Sequence, residues 1–183
     1  MRWKRDGEAF LDGYKPALLI EKTSPNLHLL EGYPSYPYDE KNIFFFQNER
    51  VERKFLQQIS NLKKDSYEEC CLVGLTLGYP KKSVEFFAKE EEARNRTGEL
   101  PNQNIRIGMI WAGFWFTTNL YIMLEEAKWM WETYTHPRAI ENPMYLWLAA
   151  DRKHFSVPYG DYSRLREVRE YIMREWGLIV TNK

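Results

Sequence analysis

Between Met109 and Trp131 the chain concentrates Trp111, Phe114, Trp115, Phe116, Tyr121, Met123, Trp129, Met130 and Trp131. Aromatic side chains carry the largest gain from burial, so most of this stretch has to be interior. Gly108 and Gly113 weaken a helix, whereas Ile, Trp and Phe pack well on a pleated surface, which predicts a strand over Ile105–Phe116. Asn119 is then placed to cap a helix through Tyr134 that buries Leu120, Leu124, Ala127 and Trp131. Apolar residues on both faces of a strand and a helix exceed what one side of a sheet can bury. The surplus predicts a pocket or a partner surface, because flat aromatic faces stack on nucleobases and anchor interfaces. The run Ile105–Leu124 is long enough to raise the question of a membrane span, but Arg106, Asn119 and several Thr and Gly residues interrupt it. It reads as buried core.

The remaining elements follow from periodicity and punctuation. Lys15–Ile20 reads as a first strand opened by Pro16, and Ile43–Phe46 as a compact buried strand. Between them, Thr23–Lys41 is a long loop with Pro25, Gly32, Pro34 and Pro37, whose Tyr33, Tyr36 and Tyr38 argue against disorder. Val51, Phe55, Leu56, Ile59 and Leu62 recur at helical spacing, predicting a helix over Glu49–Leu62. Asp65 or Ser66 caps a second helix over Tyr67–Leu77 that ends at Gly78, and Pro80 opens a third. Arg94–Asn104 reads as a loop. Met144–Ala149 and Phe155–Tyr159 read as extended, with a turn at Asp151–Lys153. Asp161 or Ser163 caps an amphipathic helix carrying Leu165, Val168, Ile172, Met173 and Trp176, ended by Gly177 and followed by a short strand at Leu178–Val180. No internal repeat is visible in the sequence. The expectation is a single α+β domain spanning residues 1–183, with a small mixed or antiparallel sheet packed with about five helices.

At 183 residues the chain is long enough for one sizeable core. Lys plus Arg and Asp plus Glu number 26 each, so no net field draws the protein onto nucleic acid or an anionic membrane. The two cysteines, Cys70 and Cys71, are adjacent and poorly disposed for a disulfide, which together with a start lacking a signal-peptide pattern predicts a cytoplasmic protein.

Gly13-Tyr14-Lys15-Pro16-Ala17, then Gly74-Leu75-Thr76-Leu77-Gly78-Tyr79-Pro80 with Val84 and Phe87, then Gly113-Phe114-Trp115 ahead of Glu125-Glu126-Ala127, form a series spanning residues 13–135. In that order these features resemble a family of uncharacterised bacterial proteins of clostridial type. The resemblance implies an α+β domain and no assigned chemistry. The cysteines associated with the later part of that family are missing here.

Chemistry-bearing constellations are sparse. His28, His136 and His154 lie far apart, and Cys70-Cys71 lacks the spacer of a zinc knuckle, so no metal or other cofactor is expected. A nucleophilic cysteine is disfavoured by the helical, apolar setting of Cys70 and Cys71. Serine-elbow, Walker and dinucleotide-binding patterns are absent. Glu90-Glu91-Glu92 and Glu125-Glu126 read as solvated helix faces. Two groups stand above this background. One is the aromatic surplus, with Trp111 and Trp115, beside the aromatic loop that carries Tyr36. The other is His136, Arg138, Arg152, Lys153, His154 and Tyr159, a combination suited to holding a phosphate while a ring stacks a base, with Arg106, Lys81 and Lys82 as weaker additions.

The function this predicts is non-enzymatic capture of a partner protein or a nucleotide-like small ligand through aromatic, Arg and His side chains. A phage or mobile-element protein that counters a host factor fits that profile. One alternative is an enzyme acting on a nucleotide or phosphorylated small molecule, with His136 or His154 as acid or base and Arg138 or Arg152 on phosphate. Another is a structural subunit of a homo-oligomer, with exposed aromatics buried between copies.

Overall fold

A computed structural model describes residues 5–148 and 153–178. The sequence alternates short strands and helices to give two antiparallel sheets rather than one. Helix α1 (Asp6–Leu11) precedes strand β1 (Ala17–Glu21), followed by β2 (Ser35–Pro37) and β3 (Asn42–Phe46), in the order β1-β3-β2. β3 is central, and its continuous apolar run is buried on both faces. Phe44 and Phe46 stack 5.6 Å apart and meet Phe55 at 4.8 and 5.5 Å. Phe45 turns the other way, with Leu18, toward Phe10 and Leu30. The long Thr23–Lys41 loop is thus anchored: it contributes a 3-10 turn at Leu27–Leu30 and the edge strand β2.

Three helices follow, α2 (Glu49–Ile59), α3 (Tyr67–Thr76) and α4 (Lys81–Thr97). Asn48 caps α2 by accepting from the Arg50 and Val51 amides, and Ser66 caps α3 through the Glu69 amide at 3.2 Å. Pro80 at the head of α4 offers no capping side chain. That role passes to Glu126, whose carboxylate accepts from the Ser83 amide at 2.9 Å.

The C-terminal half corrects one expectation. Residues 105–116 are not a single strand but most of a hairpin: β4 (Arg106–Trp111) and β5 (Phe114–Asn119) are joined by Ala112 and Gly113, both at positive φ (48° and 88°). Two such residues make the tight turn whose twist matches that of the flanking strands. Helices α5 (Met123–Thr133) and α6 (Pro137–Ile140), strands β6 (Met144–Leu148) and β7 (Lys153–Val157), and helix α7 (Tyr162–Glu175) complete the order. Asn119 accepts from the Tyr121 and Ile122 amides just ahead of α5, and Asp161 caps α7 through the Arg164 amide. The sheet runs β5-β4-β6-β7, so two ββα units, β4-β5-α5 and β6-β7-α7, pair through their first strands. This is a repeat of structure with no counterpart in residue pattern. One face of the sheet packs Ile107, Met109, Trp111, Phe114, Phe116, Met144, Leu146 and Leu148 against Ala127, Met130 and Trp131 of α5 and Leu165, Val168 and Ile172 of α7. The strand expected at 178–180 lies, apart from Leu178, outside the described residues.

The hairpin turn is also where the two sheets meet. The Tyr14 hydroxyl donates to the Ala112 carbonyl at 2.6 Å. Lys15, fully buried, donates to the Gly113 carbonyl and pairs with Asp6, both at 3.1 Å, with its ammonium 5.2 and 4.9 Å from the Tyr79 and Phe114 rings. Burial lowers the Lys15 pKa from its ordinary value, opposed by Asp6.

The two acidic runs are not simply solvated faces. Glu90 is 1% exposed, accepts from the Asn102 amide side chain at 2.7 Å and lies 3.9 Å from Arg106. Glu126 is likewise buried, at the head of α4.

Candidate functional site

Strand alternation decides which rings of the second sheet leave the core. With Met109, Phe116 and Leu146 pointing inward, the opposite face carries two rows across the four strands: Trp115, Ile110, Tyr145, Ser156, and next to it Thr117, Gly108, Trp147, His154. Trp115 is 58% exposed. Its ring meets Trp147 edge-on, with centroids 6.3 Å apart and planes at 83°. Trp147 in turn stacks on His154 at 6.3 Å and 15°. A side chain on Gly108 would come within 3.0 Å of the Trp147 ring, so the glycine is what lets that indole lie across β4 and reach toward β5. The result is a row of rings, Trp115–Trp147–His154, spanning the sheet from one edge strand to the other.

Trp115 also borders a wide cleft of about 970 Å³ between this sheet and the N-terminal one, lined by Leu18, Leu19, Ile20, Leu29, Leu11 and Asp6 among others. Leu11 and Leu29 are 42% and 49% exposed. Three large apolar side chains that are exposed, Leu11, Leu29 and Trp115, therefore share one cleft.

The other residues singled out from the sequence fall elsewhere. Trp111 is wholly buried, donates its indole N–H to the Asn142 carbonyl at 2.9 Å and stacks on Tyr159. Tyr159 donates to the Trp131 carbonyl at 3.1 Å. Arg106 lies over the Phe87 ring and beside Glu90, held by α4. His136 caps α6 and stacks on Tyr14 at 5.1 Å. Arg138 pairs with Asp12. Tyr36 packs edge-on against Phe55 in the N-terminal sheet. Arg152 lies outside the described residues. His136 and Arg138 thus belong to the surroundings of Tyr14 and Asp12, whereas His154 belongs to the ring row, and the structure does not gather these residues into one phosphate-binding group.

Trp147 and Tyr145 were not singled out from the sequence, although a signal exists. Met144, Leu146 and Leu148 alternate as buried residues, which sends Tyr145 and Trp147 to the other face. Burial pushes the Cys70 thiol up to about 11 and raises Cys71 as well, the opposite direction from the lowered value of an activated thiolate. Among the described residues no group of three or more His, Cys, Asp or Glu side chains is placed to hold a metal ion, and no helix is long and apolar enough to cross a membrane.

No protein family, curated protein or solved structure matches the chain.

Proposed function

We propose that this is a non-enzymatic binding protein that captures a planar ring on the outer face of its four-stranded sheet. The ring is that of a nucleotide-like small ligand or an aromatic side chain of a partner protein. The observation that carries the reading is Trp115, a large indole left mostly in solvent yet held edge-on against Trp147. An indole held by a neighbour loses little further side-chain freedom when another ring packs on it, and a stacked nucleobase contributes about 1–3 kcal/mol. His154, stacked on Trp147, ends the row.

The adjoining cleft favours the partner-protein form of the reading. Exposed Leu11 and Leu29 beside Trp115 supply apolar anchors that a lone ring ligand does not use.

The test titrates adenosine, adenosine monophosphate and N-acetyl-tryptophanamide into the intact protein by calorimetry, alongside native mass spectrometry of fresh preparations and a pull-down from lysate. Trp115→Ala is expected to weaken whatever binds by about tenfold or more, matching loss of one stacking contact. If none of the three probes binds and neither a co-purified ligand nor a partner is found, the proposal fails.

A further inference from the structure

The cleft beside Trp115 follows the edge of a strand. Successive side chains of a strand point to opposite faces, so a cleft lined by Leu18, Leu19 and Ile20 in turn runs along the side of β1 rather than over one face of its sheet. β1 is an outer strand, bonded only to β3. Gly113, Phe114 and Trp115, from the turn into β5, line the same cleft.

The register fixes which main-chain groups of β1 face outward. The Gln47 amide donates to the Pro16 carbonyl, and the Lys22 amide donates to the Lys41 carbonyl. Directly opposed residues of an antiparallel ladder alternate between bonded and non-bonded pairs. Leu18 and Ile20 therefore exchange bonds with Phe45 and Ile43, and Leu19 turns both its N–H and its C=O away from β3. The Glu21 N–H points the same way. Among the described residues neither main-chain group of Leu19 meets a hydrogen-bond partner.

The other sheet edges carry devices against strand pairing. β2 is three residues long and places Pro37, which has no N–H, at an outward position. β5 has α4 packed along it, and β7 opens with the exposed Lys153. β1 runs through Ala17, Leu18, Leu19 and Ile20 with neither proline nor charge.

We propose that β1 accepts an extended, mainly apolar segment of a partner protein as an added strand, hydrogen-bonded to Leu19 and Glu21, with Leu11, Leu29 and Trp115 as neighbours of its alternate side chains. This rests on the partner-protein form of the proposed function and adds the conformation in which the partner is held.

The probes are nine-residue peptides enriched on the intact protein from a random display library. Each is also made with N-methyl groups on alternate amides, in both possible settings. Hydrogen exchange at the Leu19 and Glu21 amides is followed by NMR. Both are expected to exchange freely in the protein alone and to slow by about tenfold or more at saturation. The N-methyl setting that removes the amides facing β1 is expected to weaken binding by about tenfold or more, and the other setting to leave it unchanged. A peptide that protects Leu19 yet binds Trp115→Ala as tightly supports strand addition and counts against ring capture. A peptide that depends on Trp115 while Leu19 still exchanges freely does the reverse. Protection of Leu19 on raising the protein concentration alone would name a second copy as the occupant and overturn the proposal. So would the absence of any enriched peptide, or equal binding of the two N-methyl settings.

Discussion

Gly74 offers a sharp test of how α3 and α4 meet. A glycine inside a helix costs about 1 kcal/mol relative to Ala, so on local preference alone Gly74→Ala would stabilise the protein. Packing opposes this. A Cβ at position 74 would lie 2.8 and 2.9 Å from the two Cγ atoms of Val84, well inside the optimum of about 3.5–4.0 Å between carbons. Val84 is buried and β-branched, so in a helix it has essentially one rotamer and no flexible end to move aside. The two helices must separate, an overpacking cost of about 2 kcal/mol. The net expectation is destabilisation by about 1 kcal/mol. Val84→Ala alone removes buried methyl groups and should cost about 2 kcal/mol. In that background the clash is gone, and Gly74→Ala should stabilise by about 1 kcal/mol, a reversal of sign that amounts to about 2 kcal/mol of coupling. Urea unfolding of the four proteins followed by far-UV circular dichroism measures it, with the denaturant slope expected to stay constant. If Gly74→Ala stabilises the unaltered protein, or if the two effects simply add, the close approach of α3 and α4 at this point is wrong.

Three further outcomes follow from the same structure. Gly113→Ala should destabilise by about 3 kcal/mol or more, because φ is +88° and a Cβ would lie 2.5 Å from Ala9 Cβ and 2.9 Å from the Arg5 carbonyl; hydrogen exchange should show the loss concentrated in α1, and a uniform loss would contradict the docking described. Burial holds the Glu126 carboxyl above its ordinary 4.5, so that group's stabilising contribution is complete below pH 4.5 and is lost as pH rises through the folded value. Glu126→Gln, which keeps an acceptor for the Ser83 amide without the charge, should therefore gain stability relative to the parent between pH 4 and pH 7, and a relative loss in urea titrations over that range would refute it. Burial also raises Tyr14, Tyr38, Tyr79 and Tyr134 above their ordinary 10. Their contribution is full below pH 10 and lost above it, so stability should fall between pH 10 and 11, and less steeply in Tyr79→Phe.

Elements specified by local chemistry were legible in the sequence. The apolar run of β3, the extended run of β6 and the caps of α3 and α7, where Ser66 and Asp161 serve out of the two candidates that each helix offered, all depend on residues a few positions apart, and each formed where it was expected. The β4–β5 hairpin was not, because its turn uses Ala at positive φ, a position where a non-glycine residue is uncommon, and because Trp-Ala-Gly-Phe lacks the Asn-Gly or Asp-Gly signal. Continuous apolar residues on both sides hid the break as well. Burial of Glu126 and Glu90 was illegible for a different reason. Their partners, the Ser83 amide and Asn102, lie 43 and 12 residues away, and nothing in an acidic run marks which member will be drawn inward. The site was half visible: Trp115 stood out by composition, whereas Trp147 became part of it only through a pairing register that places it over Gly108.

That register also bears on why Trp115 is a tryptophan. The Ala112–Gly113 turn fixes the alternation of β5, so that Phe114 and Phe116 face the core and residue 115 must face out. The fold asks only for a strand-compatible side chain there. The far edge of the same row shows what suffices, since Ser156 on β7 occupies the corresponding outward position and is exposed. Both are edge strands of one sheet, and each belongs to a hairpin of a ββα unit. What separates them is their surroundings: β5 has α4 packed alongside, with an apolar pocket lined by Val73, Val84 and Phe87 on one side of Trp115 and the cleft of Leu11 and Leu29 on another. An indole at that junction adds little to the core, because 58% of it remains in water. Its place is accounted for by what it borders, and this is why Trp115, unlike the buried Trp111 and Trp131, is the ring on which a binding function is best sought.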